Sequence, residues 1–406
     1  MCRVLDRPWT CFSLSRATSQ LVKDSARKYD AVGKWREAHI VKSARKLAKV
    51  ALERYGIEDA RIHPLRRGSG PLKKKVFRVM SPTKGVFVLR MYKAPAVGLS
   101  VIRSGKKGSA SGVGLVSSDT LRAQLLWLSA LGGETDLLVP EPVPTTDGSL
   151  IDYVSSSNLP GPRTLPRRAE RSGRNVHGPE KPGRYCVLLR WVPGEHKADE
   201  LDPAGLFMIG SHVARLHNHA QRYRLPEGSR LPRRSAKGLF KGPPIWQEGS
   251  ASSADEMEPF RAADRRVRED LARLGESPEV FGVIHGDLGL ENVIFDGLRV
   301  GTIDFEMCGL GHYLLDMATI RRDLENRYPG RQEQMWTAFV EGYERERPMP
   351  EDYQRYLTTF DVVRRVREVN REIKRSRREG NARQTQAPQL LRDLANWLEE
   401  LSYTLP

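Results

Sequence analysis

Long apolar runs are missing from this sequence. No stretch approaches the roughly 18 apolar residues that a membrane-spanning helix needs, so the chain reads as soluble, with no membrane partner. Cysteine is scarce: Cys2, Cys11, Cys186 and Cys308 include no CxxC pair and have no closely spaced histidine. That pattern suggests neither a zinc site nor a disulfide framework, and it fits a reducing cytoplasm. The opening "MCRVLDRPWTCFSLSRATSQ" has no apolar core long enough for a signal peptide, and Asp6 is out of place in a transit peptide. Residues 1–41 therefore read as a basic tail. No internal repeat is visible. Acidic residues are outnumbered, 50 Asp and Glu against 67 Lys and Arg, for a formal charge of +17. The excess favours anionic partners such as nucleotides, phosphorylated metabolites or nucleic acid. It argues against a polycationic substrate unless acidic groups are concentrated locally.

What is present is a 406-residue chain, 39% hydrophobic, long enough for two lobes with a core each. "VKSARKLAKVALERYG" from residue 42 has helical apolar spacing and a glycine stop. "ARIHPL", "KVFRVMS" and "GVFVLRMY" then read as three strands of a small antiparallel sheet. After a Gly/Ser-rich insertion, 94–118, "SSDTLRAQLLWLSALGG" offers N-cap residues, a leucine stripe and a Gly-Gly stop. "LLVPEPVPTTDGSLIDYV" reads as strand, turn and strand. A second insertion, 155–184, is rich in Pro, Gly and Arg, and "YCVLLRWVPGE" is an apolar strand closing at Pro-Gly. Helical patterns follow at about 203–223, 256–275, 314–326, 331–346, 351–377 and 387–402, interrupted by the short runs "FGVI", "NVIF" and "GTID". The order predicts an α+β, bilobal chain: a tail at 1–41, a small antiparallel-sheet N-lobe at 42–192 and a mostly helical C-lobe at 193–406.

The chemistry concentrates in "VIHGDLGLENVIFD", 283–296. Asp296-Gly297 turns "NVIF" and "GTID" into a hairpin, which leaves Asp287 and Asn292 on the loop before it and Asp304 at its far end. Two carboxylates and an amide oxygen brought together there are what metal-assisted phosphoryl transfer requires, and the D-x4-N spacing equals that of the protein-kinase catalytic loop.

"HGDLGLENVIFDG" followed by "GTIDFEMCGLGHYLLDMA" resembles the aminoglycoside phosphotransferase superfamily of protein-kinase-like enzymes, including its homoserine-kinase-like branch. "RAQLLWLSAL", "VPEPVPTTDG", "LLRWVPGE" and "ARLHNHAQRY" fall in the same order as in that family, and the likeness spans roughly 45–375. The resemblance implies a bilobal protein-kinase-like fold, with ATP and Mg2+ as cofactors. Asp287 would be the catalytic base, and Asn292 and Asp304 would hold the metal. His285 and Asp316 would brace the loop and the lobe. Leu189, Arg190 and Val192 would form the hinge that meets adenine, Arg90, with Lys93 as the alternative, would bind phosphate, and Gly68 and Gly70 would cover the nucleotide. Gln124 departs from the pattern, standing where the family carries a Glu that pairs with the phosphate-binding cation. Glu291 has no role in this scheme.

Blander readings stand beside these. The polar loop is also what Asx-turns at strand ends look like, Arg90 is also an edge-strand arginine, and Cys308 is a small buried residue. The basic run 364–383 reads first as a solvated helix face and second as a nucleic-acid contact. The expected activity is ATP- and Mg-dependent transfer of a phosphoryl group to a hydroxyl of a small molecule, a metabolite alcohol ahead of an antibiotic. A protein Ser/Thr acceptor and a weakened kinase fold that binds nucleotide or nucleic acid are the alternatives.

Overall fold

The structure is a computed structural model that describes residues 44–65, 75–94, 117–155, 183–234, 258–379 and 387–404. The tail 1–41, Gly68, Gly70 and almost all of both insertions lie outside the described residues. The chain divides into two compact units, one within 1–115 and 145–186, the other within 116–144 and 187–406.

The first unit holds a helix, α1 (44–54), and most of an antiparallel sheet. Ala48, Ala51 and Leu52 of α1 are buried, and Gly56, at φ 66°, ends it. Strands β1 (Arg61–Pro64), β2 (Lys75–Ser81) and β3 (Gly85–Lys93) lie in that order, with Phe77 opposite Leu89 and Val79 opposite Phe87. Their alternation puts Phe77, Val79, Phe87, Leu89 and Met91 on the buried face, because successive strand side chains point to opposite sides. β5 (Asp152–Val154) pairs with the first residues of β6 (Arg184–Arg190). Arg54 is 2.6 Å from the buried Asp152 carboxylate, and the Tyr55 hydroxyl donates to the Cys186 carbonyl at 2.9 Å.

The second unit begins with α2 (Ser118–Glu134), capped by the Ser117 side chain, which accepts from the Thr120 amide. Its leucine stripe, Leu121, Leu125, Leu128 and Leu131, is buried as the spacing predicts. β4 (Pro142–Val143) pairs with the end of β6, so β4 and β5 both pair with β6 and do not form a hairpin with each other. Helix α3 (Pro203–Arg222) starts at an Asp202 cap and buries Leu206, Ile209, Val213 and Leu216. It crosses α6 (Gln332–Glu344) at two glycines: a Cβ on Gly210 would lie 2.0 Å from the Phe339 carbonyl oxygen, and one on Gly342 would lie 1.9 Å from that of Phe207. The backbones touch where other helix pairs keep side chains between them.

α4 (Glu258–Leu274), α7 (Tyr353–Glu379) and α8 (Ala387–Thr404) share a core of Phe260, Val267, Val362, Val363, Val366, Leu394 and Leu398. Asp270 of α4 is fully buried in that group, and it accepts from Arg355 at 2.9 Å and from Thr359 at 2.6 Å on α7. β7 (Phe281–Ile284) pairs with β10 (Gly309–His312), while β8 (Val293–Asp296) and β9 (Arg299–Thr302) form the hairpin predicted at Asp296-Gly297. The hairpin is pinned on both edges. Glu195 and Phe295 exchange backbone hydrogen bonds of 2.9 Å, and the Thr302 amide donates to the Leu138 carbonyl at 2.9 Å. Helix α5 (Leu314–Arg327) follows β10. Among the described residues no helix is long and apolar enough to cross a membrane.

Candidate active site

The loop after β7 is held by α5 from below. The buried Asp316 carboxylate accepts the His285 amide at 2.8 Å with one oxygen and the Gly286 amide at 2.7 Å with the other. Gly286 sits at φ 79°, and a Cβ there would fall 2.3 Å from the Met307 carbonyl oxygen, so the turn admits glycine alone. The His285 ring bonds on both sides. Nε2 lies 2.9 Å from the Ile303 carbonyl, and Nδ1 accepts the Asp287 amide at 3.3 Å, which leaves Nε2 as the ring nitrogen that donates to Ile303. Seven residues further on from that anchor, Asp323 of α5 accepts the Leu290 amide at 2.8 Å. Two carboxylates of one helix therefore grip the loop at its start and at its middle.

This grip fixes the backbone around two of the three predicted oxygen donors, Asp287 and Asn292. The Asn292 side-chain nitrogen donates to the Asp287 carbonyl at 2.8 Å, and the Asn292 carbonyl accepts the Ile303 amide at 2.9 Å, one residue before Asp304. Asp304 adopts a left-handed conformation, φ 67° and ψ 52°, a strained choice for a residue other than glycine. The following turn, Phe305–Met307, buries the Phe305 ring between Trp127 of α2 (centroids 5.6 Å apart) and His285 (4.6 Å).

The Asp287 side chain reaches solvent, yet enough protein surrounds its carboxyl to raise its pKa by partial desolvation. His285 and Arg371 pull the other way, and the Glu291 and Asp304 carboxylates add to the rise. Asp323 is pushed up to about 6, by burial first and then by the neighbouring Glu291, while its bond from Leu290 and the charge of Arg327 oppose the shift. Glu291, without a role in the sequence, thus belongs to a carboxyl pair. Arg327 lies 3.7 Å from Glu291 and also pairs with Asp199.

The other predicted residues fall as follows. Arg90 is half-buried on β3 of the first unit, opposite Val76, on the face away from Leu89 and Met91. Leu189 and Val192 are buried and Arg190 is exposed; the Arg190 amide donates to the Glu141 carbonyl at 2.8 Å. Gln124 is buried on α2, and its side-chain nitrogen donates to the Glu306 carbonyl at 3.0 Å and the Cys308 carbonyl at 3.3 Å. A carboxylate at 124 would face both carbonyls with nothing to donate, which gives the departure at this position a local cause. Cys308 is buried, and burial pushes its thiol pKa up, in keeping with a packing residue.

Sequence reasoning missed Asp323, Arg234, Arg367 and Arg371. Arg234 packs against the loop from the segment before α4, its Nε donating to the Met307 carbonyl at 2.8 Å, and Arg367 of α7 donates to the Arg234 carbonyl at 3.2 Å. None of the four carries a local motif; the distance along the chain between α7 and the loop hides them.

The profile of the phosphotransferase enzyme family (APH) matches residues 122–356, more than half of the chain. The chain belongs to the phosphotransferase enzyme family. No curated protein sequence matches it. Among solved structures, this phosphotransferase is similar to the microcompartment-associated aminopropanol kinase, at 22% identity and a TM-score of 0.61, covering 88% of this chain and 97% of that one. It is also similar to amicoumacin kinase hAmiN in complex with AMP-PNP, Ca2+ and Ami, at 13% identity and a TM-score of 0.62, covering 89% and 99%. At these identities the likeness is one of fold. The phosphotransferase has the expected protein-kinase-like α+β architecture, an antiparallel sheet and eight described helices.

Proposed function

We propose that this phosphotransferase moves the γ-phosphoryl group of ATP to a hydroxyl of a small molecule, with Asp287 as the base. The observation that supports the reading is the bond from the Asn292 amide to the Asp287 carbonyl, which holds both on one loop, with Asp304 at the end of the adjoining hairpin. Asp287 orients the acceptor hydroxyl and receives its proton as the oxygen attacks phosphorus and the bond to ADP breaks. Its raised pKa keeps it a better proton acceptor than a fully solvated aspartate. Arg90 on β3 would steady phosphate, and the backbone at Leu189 to Val192 would meet adenine.

The donor set fits magnesium. Because the Asn292 nitrogen is spent on Asp287, its amide oxygen is the atom left to present, and Asp304 follows the residue bonded to Asn292. Among the described residues no cluster of three or more His, Cys, Asp or Glu side chains forms a cage. One amide oxygen and one carboxylate suit a hard cation that completes its shell with phosphates and water. When bound, such an ion would neutralise the phosphate oxygens. The amicoumacin kinase structure, with AMP-PNP and Ca2+, supports this reading by likeness of fold.

ADP production should therefore require ATP, magnesium and an alcohol. Asp287→Asn should lower kcat by roughly 100- to 10,000-fold, and Asp304→Asn should raise the magnesium concentration needed for half-maximal rate. Full activity in Asp287→Asn would sink the assignment.

A further inference from the structure

The buried face of α3 carries a histidine that the phosphotransfer chemistry leaves unused. His217 follows Val213 by one helical turn, so the stripe of Leu206, Ile209 and Val213 turns it inward, and it is buried. A polar ring in an apolar face is tolerated where its nitrogens find partners. Nδ1 lies 2.9 Å from the Tyr343 hydroxyl of α6, and Nε2 lies 3.6 Å from Oδ2 of Asp316 on α5. Aromatic packing fixes the plane of the ring. Tyr313, just before α5, stacks on it with centroids 4.6 Å apart and planes 27° apart, and Tyr343 meets it edge-on at 5.7 Å.

The two partners assign the proton. Burial holds the His217 pKa below its ordinary value although Asp316 pulls it upward, so the ring is neutral near pH 7 and has one N–H. A carboxylate accepts, whereas a tyrosine hydroxyl can also donate. Tyr343 therefore donates to Nδ1, and the Nε2–H faces Asp316. Their 3.6 Å separation is slightly longer than a hydrogen bond and too short to admit a water molecule.

The far end of this chain of contacts lies in the catalytic loop. Oδ2 of Asp316 is the oxygen that accepts the His285 amide at 2.8 Å, while Oδ1 accepts the Gly286 amide at 2.7 Å. Those two amides immediately precede Asp287. A buried carboxylate keeps its charge and its orientation through the donors around it, so a further donor at Oδ2 stiffens its grip on both amides. We propose that His217 is a positioning residue for phosphotransfer: oriented by Tyr343, it presents Nε2–H to Asp316 and thereby fixes the turn that sets Asp287. This rests on the phosphotransfer reading above and adds to it a residue that acts from the core, through Asp316.

The test separates the reach of the two ring nitrogens. A glutamine amide nitrogen sits as many bonds from Cβ as Nε2 does, whereas an asparagine amide reaches only as far as Nδ1. His217→Gln should keep kcat within about 3-fold of the wild type, while His217→Asn and His217→Leu should lower it by about 10- to 100-fold with the KM for ATP unchanged, the signature of a misplaced base. Equal kcat in the two amide variants overturns the proposal. So does a loss of kcat that follows a falling unfolding midpoint across all three variants, which is what packing alone would give.

The order of the loop is read separately, without substrate, by hydrogen exchange of the His285 and Gly286 amides. Both should exchange about 10-fold faster in His217→Asn and His217→Leu than in the wild type and His217→Gln, with exchange in α6 unchanged. Tyr343→Phe removes one hydroxyl and keeps the ring, so it serves if the His217 variants do not fold, and it should speed the same two amides several-fold. Unchanged exchange at these amides in the folded variants overturns the proposal even if phosphotransfer is found. If no acceptor is phosphorylated, the functional reading fails, and the exchange rates still decide whether His217 holds the loop.

Discussion

Asp287 is a carboxylate that its own surroundings disfavour, since partial desolvation, Glu291 and Asp304 together raise its pKa. The folded protein therefore keeps this proton to higher pH than the unfolded chain does. The resulting penalty is absent below the ordinary value of 3.8, sets in as pH rises through it, and is complete above the raised value. Asp287→Asn should raise the unfolding midpoint at about pH 8 while sharply lowering kcat, and the gain should vanish well below the ordinary carboxylate range. Equal midpoints at both pH values would show that the carboxyl is not strained. Gln124 makes the opposite case. Gln124→Glu removes the donor that the Glu306 and Cys308 carbonyls share, and it should cost about 1–3 kcal/mol in urea unfolding with no gain in activity. The Asp296-Gly297 turn made the hairpin beside Asp287 and Asn292 legible in the sequence. The partner of Glu291 was not legible, because Asp323 meets it through a helix whose own pattern shows an ordinary polar position.

The crossing of α3 and α6 is the tightest joint between elements in the second unit. Gly342→Ala would force a methyl against the Phe207 carbonyl, a backbone atom that cannot rotate away. The expected loss is about 1–3 kcal/mol, read as a lower urea midpoint with an unchanged m-value. The eight described helices were legible from apolar periodicity and stop signals, and Ser117 caps α2 as its sequence suggests, whereas the Asp202 cap of α3 was not read from the sequence. β10 was not, because Gly309-Leu310-Gly311-His312 has too few side chains to alternate; it is a strand because β7 offers it a ladder. Likewise the Asp147-Gly148 turn invited a hairpin, but β4 and β5 each found β6. Local turn chemistry was overridden by a partner distant in sequence.

At the scale of the whole chain, a formal charge of +17 works against compactness through self-repulsion. Raising salt from about 20 mM to about 200 mM shortens the screening length from tens of ångströms toward 8 Å, and it should raise the thermal midpoint. A midpoint that falls would mean specific ion pairs outweigh the global charge. Part of the basic run in α7 is already committed inside the molecule: Arg364 lies 3.0 Å from Glu368, Arg365 stacks 4.1 Å from the Trp397 ring centroid, and Arg367 bonds to Arg234. The glycine joint has a consequence on the ribosome as well. Gly210 must wait for Gly342, and at 5–20 residues per second the apolar stripe of α3 emerges roughly 7–26 s before its partner exists. Throughout that interval a nascent chain exposes Leu206, Ile209, Val213 and Leu216, the surface that a holding chaperone would engage.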